Sequence, residues 1–251
     1  MTNEHKKLQQ DRVILVAGAG DGLGRTLALQ LANEGATVLL LGKHKHKLNQ
    51  VYDQIISKGG AQPVSIPFDL EKQPEAAYGQ LATMINESFG RLDGFVYTAT
   101  WLGALTPVRY YDPGVWHKSI QINLHAPFYL VRSLYELFMQ SAAARLVYVS
   151  HDFNQSAYWG AYGAAKMGME NLFKSIAAEN QNTQLTANIF RPGAMQTPTQ
   201  SHGYPGLDQT LLPTADVIAA QLLPLLLSTH TNNGHIISAQ AAELKTVQNT
   251  H

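Results

Sequence analysis

The sequence contains no cysteine, which excludes disulfides and thiolate metal ligands. A cysteine-free chain suits a reducing compartment. It has no charge excess: eighteen Lys and Arg face eighteen Asp and Glu, and charged residues are only 14% of the 251 positions. That balance gives no electrostatic case for nucleic acid or an anionic membrane as partner. Apolar runs long enough to span a bilayer are missing too; "VIAAQLLPLLL" falls well short, and Pro224 interrupts it. The first residues, "MTNEHKKLQQDR", are polar and carry no signal-peptide core. A soluble cytoplasmic protein is the expectation. What the chain does have is apolar residue, 45% of the total, enough for a substantial core.

Short apolar runs alternate with stretches of helical period. The runs are "VILVAGAG", "TVLLLG", "QPVSIPFDL", "LDGFVYTAT", "ARLVYVS", "LTANIFRPG" and, last, "GHIISAQ". The longest helical stretch is "VWHKSIQINLHAPFYLVRSLYELFMQ", in which Pro127 marks a bend or break. The runs are continuously apolar, as expected of strands covered on both faces. The pattern predicts an α/β protein of the doubly wound Rossmann type, with about seven mostly parallel strands and helices on both faces. No linker or composition shift divides the chain, so one domain over 1–251 is expected, with a polar tail at 1–10. A looser stretch at 194–213, rich in Pro and Gly, is the expected substrate loop.

The first strand-to-helix turn reads "GAGDGLGR", with Gly18, Gly22 and Gly24 spaced G-x-x-x-G-x-G. Glycines permit the tight turn and close backbone approach, and the helix N-terminus offers free N–H groups and a positive dipole end to a pyrophosphate. At the end of the second run, "LLLGKHKHKL" has Gly42 where an acid would bind the ribose hydroxyls of NAD(H), followed by Lys43. A small residue and a cation favour NADP(H), with NAD(H) less favoured. Lys45, His46 and Lys47 read as a solvated helix start. His44 and His46 lack further ligands, so no metal site is expected. Asp69, in "FDL", is placed to bond the adenine amino group or to cap the following segment.

In "SHDFNQSAYWGAYGAAKMG", Tyr162 and Lys166 stand one helical turn apart and share a face. Together with "AGAGDGLGR", "FDL", "RLDGFVYTAT", "INLHAPF" and "RPGAMQT", they resemble the short-chain dehydrogenase/reductase family, from Val13 to about Gln240. The wording of "AYWGAYGAAK" and "LLLGKHKHKL" is similar to the YciK-like branch of bacterial oxidoreductases. The resemblance implies interconversion of a small carbonyl and alcohol, often by a homodimer or homotetramer. It implies that Tyr162 is the general acid and that Lys166 lowers its pKa and holds the nicotinamide ribose. Asn123 would kink its helix and hold a water near the lysine. Leu23, Leu70, Ala99, Pro192 and Gly193 would lie along the cofactor, and Met195 and Thr197 would hold the carboxamide. Thr197 has an alternative reading as a helix cap. A stripe at Met167, Leu172 and Ile176 resembles the family's dimerisation surface, unless it only covers the sheet. Trp101, Leu102, Phe153 and Trp159 are candidate walls of an apolar substrate pocket.

The chain also departs from the family pattern. The family's serine lies thirteen residues before the tyrosine, where this chain has Val149. Ser150 stands one place later, and alignment on the strand puts His151 there instead. The carbonyl donor is therefore Ser150, His151 or neither, and His151 in that role would bring a pH dependence near neutrality. In "YTAT", Thr98 replaces an amide and Thr100 a glycine, and Ala17 stands where a threonine is common. Two functions follow: an NADP(H)-dependent reductase or dehydrogenase, or an NADP(H)-binding protein with little turnover that regulates or docks.

Overall fold

In a computed structural model, which describes residues 7–152 and 157–240, seven parallel strands form one sheet in the order β3-β2-β1-β4-β5-β6-β7. They are β1 Val13–Ala17, β2 Thr37–Gly42, β3 Val64–Pro67, β4 Gly94–Tyr97, β5 Arg145–Val149, β6 Thr186–Arg191 and β7 Ile236–Ser238. Side chains on β1 alternate between two cores, as a period of two requires. Val13, Leu15 and Ala17 join Tyr78, Leu134 and Phe173 on one face; Ile14 and Val16 join Leu27, Val51 and Ile218 on the other. Continuous apolarity in the strands is thus two half-patterns interleaved.

Helices α1 Gly22–Asn33, α2 Lys45–Ser57 and α8 Ala215–Leu222 cover one face. Helices α3 Glu75–Phe89, α5 Ala126–Met139 and α6 Gly160–Glu179 cover the other. Two shorter helices, α4 Pro113–Ile120 and α7 Pro198–Gly203, complete the set. The strand order reverses between β1 and β4, which opens a crevice at the carboxyl ends of these strands.

The long helix expected around Pro127 is three pieces: α4, a π-helical turn at Gln121–His125, and α5. Its cause is local. Ala126 N–H bonds to the Gln121 carbonyl, five residues back. Pro127 has no N–H to offer the carbonyls of Ile122 or Asn123. Those two carbonyls accept hydrogen bonds from the phenols of Tyr97, on β4, and Tyr148, on β5, the latter at 3.1 Å. The stripe Met167, Leu172 and Ile176 is not one free face, which corrects that expectation: Ile176 is buried in the core and Leu172 packs against it, while Met167 is exposed. No helix among the described residues is long and apolar enough to cross a membrane.

Candidate active site

The glycine turn closes on itself more tightly than any side chain would allow. Gly18 has φ +94°, and a Cβ there would lie 2.6 Å from the Ala99 nitrogen. A Cβ at Gly24 would lie 2.3 Å from the Gly18 carbonyl oxygen. The end of β1, the start of α1 and the turn after β4 therefore meet with no room for a Cβ at Gly18 or Gly24, the Thr98 hydroxyl filling the space beside both. Asp21 caps α1 by accepting from the Gly22 N–H at 2.8 Å, and its other oxygen pairs with Lys47 at 2.6 Å. Lys47 lines the cavity; the reading of it as a merely solvated residue is corrected by this pairing.

Lys43, next along from β2, also lines the cavity. Its ammonium lies 3.2 Å from Asp69 and 3.5 Å from Glu71, and Glu71 is shared with Lys118 at 3.0 Å. Asp69 accepts from the Glu71 N–H at 3.1 Å and so closes a turn after β3; it caps no helix, since α3 begins after Pro74. Neither Asp69 nor Leu70 reaches the cavity wall; Leu70 is buried and its carbonyl accepts from Gln121.

Tyr162, Lys166 and Glu170 follow at intervals of four along α6, and all three are buried. Lys166 Nζ donates to the Val149 carbonyl at 2.8 Å and sits 4.7 Å over the Tyr148 ring and 5.5 Å over that of Tyr162. Burial pushes the ammonium down to about 7, and Glu170 opposes the shift. Glu170 is itself held by both nitrogens of an Arg191 fork, at 2.9 and 2.7 Å. Burial pushes the Tyr162 phenol up to about 12, opposed by the Thr100 hydroxyl. Sequence reasoning missed Glu170, although its spacing from Lys166 repeats that of Lys166 from Tyr162.

Asn123 is fully buried at the centre of the π turn and stands behind the cavity rather than in its wall. Its amide nitrogen donates to the carbonyls of Trp101 (2.9 Å) and Ser119 (2.8 Å). Its amide oxygen accepts from the Trp101 N–H at 3.2 Å and the Thr100 hydroxyl at 3.0 Å. Thr100 Oγ1 is also 3.2 Å from the Tyr162 hydroxyl. Thr98 donates to the Ala17 carbonyl at 2.8 Å. The two threonines that break the family pattern are thus both engaged.

Ser150 and His151 both line the cavity. Ser150 prolongs the β5–β6 pairing through its N–H to the Phe190 carbonyl at 2.8 Å, and its buried hydroxyl has no hydrogen-bond partner among the described residues. A buried hydroxyl without a partner is unusual in a folded protein. The His151 ring lies 4.8 Å from that of Trp159 and 6.2 Å from that of Tyr162. Burial, with Lys166 adding to it and Asp152 opposing, pushes the imidazole down to about 4. The expected titration of His151 near neutrality is corrected: the ring is neutral there and carries one N–H.

The cavity measures about 330 Å³. Gly18, Gly22, Leu23, Gly24, Lys43, Ala99, Ser150, His151, Tyr162, Lys166, Pro192, Gly193, Met195 and Thr197 all face it, so most of the sequence candidates converge. Leu102 and Trp159 pack with Tyr162 at one end, and Tyr204 and Gln200 from the region of α7 join them in the wall. Trp101 is absent from that wall; its ring lies under Lys118, 4.8 Å away. Phe153 lies outside the described residues. Thr197 caps α7, accepting from the Gln200 N–H at 3.3 Å, while still lining the cavity. Among the described residues no cluster of His, Asp and Glu could hold a metal ion.

The sequence pattern of the short chain dehydrogenase family matches residues 12–205. The uncharacterized oxidoreductase YciK of Escherichia coli (strain K12) is 37% identical over 222 residues, which cover 88% of this chain and 86% of that one. Short-chain type dehydrogenase/reductase Rv0148 of Mycobacterium tuberculosis is 29% identical over 84% of this chain and 77% of its own. Among solved structures, a short chain dehydrogenase from Escherichia coli CFT073, complexed with NADPH, superposes with a TM-score of 0.90 at 36% identity, over 94% of this chain and 99% of that one. One from Shigella flexneri 2a, complexed with NADP, superposes with a TM-score of 0.90 at 35% identity, over 93% and 98%.

Proposed function

The chain belongs to the short-chain dehydrogenase family of oxidoreductases, and from that we propose that it interconverts a small carbonyl and its alcohol using NADP(H), with Tyr162 as the proton donor. The observation that supports this most is convergence: the glycine turn, Lys43, Tyr162 and Lys166 face one cavity. The residues present suit the cofactor. A helix N-terminus behind side-chain-free backbone suits a pyrophosphate, and Lys43 without an acid at Gly42 suits a 2′-phosphate. Relatives solved with NADP and NADPH point the same way.

When bound, the nicotinamide supplies or takes the hydride. The protein handles the proton. In reduction, the Tyr162 O–H bond breaks and its proton goes to the carbonyl oxygen as hydride arrives at carbon. The phenolate left behind is stabilised by Lys166, which lies over the same ring. Ser150 or His151 donates a hydrogen bond to the same oxygen. Leu102 and Trp159 suit an apolar substrate. This reading takes the chain as one domain in the cytoplasm, assembled as a homodimer or homotetramer. A monomer in sedimentation at micromolar concentration would remove the last part.

The test is NADPH consumption by the purified protein across a carbonyl panel, with Tyr162→Phe beside the wild type. Turnover should vanish in the variant while NADPH affinity holds, because the ring still packs and only the proton is lost. Carbonyl reduction that survives Tyr162→Phe rejects the mechanism. A second reading, binding without turnover, draws on the displaced serine position; a wild type that binds NADPH and reduces nothing would establish it.

A further inference from the structure

We propose that Thr100 is a positioning residue whose hydroxyl turns between Asn123 and Tyr162 and so sets the protonation state of the Tyr162 phenol. The inference rests on the reading of Tyr162 as proton donor and adds a residue to it. Its basis is the order of donors in a fixed chain. Asn123 cannot flip its amide: the nitrogen end faces the carbonyls of Trp101 and Ser119, and the oxygen end faces the Trp101 N–H. An amide oxygen only accepts, so the Thr100 proton points at Asn123 Oδ1 across 3.0 Å. A hydroxyl has one proton. The same hydroxyl also reaches the Tyr162 oxygen, at 3.2 Å, so its single proton serves one acceptor or the other.

Once Tyr162 gives its proton to a substrate oxygen, Thr100 faces a phenolate, and its own O–H turns toward the charge. Asn123 Oδ1 keeps the Trp101 N–H through this turn. No proton leaves Thr100; one O–H rotates by about one acceptor position. A hydrogen bond to an ionised oxygen is stronger than one between neutral groups, so the turn favours phenolate over phenol. The threonine is thus not a defect where the family pattern has a glycine. Glycine at 100 would have no hydroxyl to offer, and the chain from the π turn to the reacting phenol would be broken.

The proposal is tested by titrating Tyr162 directly. Tyrosine labelled with ¹³C at the hydroxyl-bearing ring carbon reports ionisation by NMR, with the Tyr162 signal assigned by its loss in Tyr162→Phe. In protein saturated with NADP⁺, Thr100→Val should move the Tyr162 titration upward by about one pH unit, and Thr100→Ser should restore it. The pH at which alcohol oxidation rises should move with it, at roughly tenfold lower kcat near neutrality and an unchanged KM for NADP⁺. Thr100→Ala gives the same readout if the valine variant does not fold. A Tyr162 titration that does not move in either folded variant overturns the proposal. The two readings separate cleanly: a shift without turnover in the wild type supports the hydroxyl turn and sinks the enzymatic reading, whereas turnover with an unmoved titration does the reverse.

Discussion

Tyr97 and Tyr148 stand opposite each other on adjacent parallel strands, rings stacked 5.9 Å apart, and their hydroxyls end on the carbonyls of consecutive residues, Ile122 and Asn123. The pair holds the π turn that carries Asn123 against the sheet. Tyr97→Phe and Tyr148→Phe should each destabilise the protein by about 1–3 kcal/mol, since each leaves a buried carbonyl without this donor. The double variant should cost less than the sum, because both phenols hold one turn. Urea unfolding measures this; two variants each within about 0.5 kcal/mol of wild type would show that the turn holds without them.

Ser150→Ala and His151→Ala decide which residue assists the substrate oxygen. The true donor should lose on the order of a hundredfold in kcat/KM, and the other should lose little. If His151 is the donor, it acts as the neutral ring. Its pKa is pushed down to about 4, so activity should rise with pH through that value and run flat across neutrality as far as this group is concerned. An inflection near 6.5 that disappears in His151→Ala would contradict the burial of the ring.

Lys43→Ala should weaken NADPH more than NADH, toward the low end of about 1.5–3 kcal/mol, because the site is open to water and salt. Lys43 is also held by two carboxylates, Asp69 and Glu71. Glu71→Gln should therefore tighten NADPH several-fold while leaving NADH unchanged. Calorimetric titration of both cofactors checks the pair; equal affinities for NADPH and NADH in the wild type would refute the assignment.

Lys166 carries a stability cost with a defined pH window. Its folded pKa, about 7, lies below the ordinary 10.5, so between these values the unfolded chain binds more protons than the folded one. Stability from this group rises with pH across that window; as pH falls it is lost progressively from 10.5 and is gone below about 7. The melting temperature of Lys166→Met, relative to wild type, should be most favourable at pH 6 and fall steadily toward pH 10. A difference independent of pH would mean the ammonium keeps its ordinary pKa.

Local chemistry was enough to read the frame of this protein. Continuous strand apolarity, glycine at helix starts and a tyrosine four before a lysine are each set by neighbours in the chain, so the sheet, the cofactor turn and Tyr162–Lys166 were legible. Pro127 announced a break for the same reason: it removes one N–H wherever it stands. What the chain order could not reveal is which distant group takes up what a local break releases. Nothing local singles out Tyr97 and Tyr148; only the sheet sets them side by side beneath the freed carbonyls. Thr100 read as a misfit, and Ser150 and His151 as rivals for one position. Tertiary packing made the threonine the link between Asn123 and Tyr162, aimed both rivals at the cavity, and kept His151 neutral by burying it beside Lys166. Hydrogen-bond partners and pKa values depend on distance and burial across the fold, and these exist only once the strands are side by side.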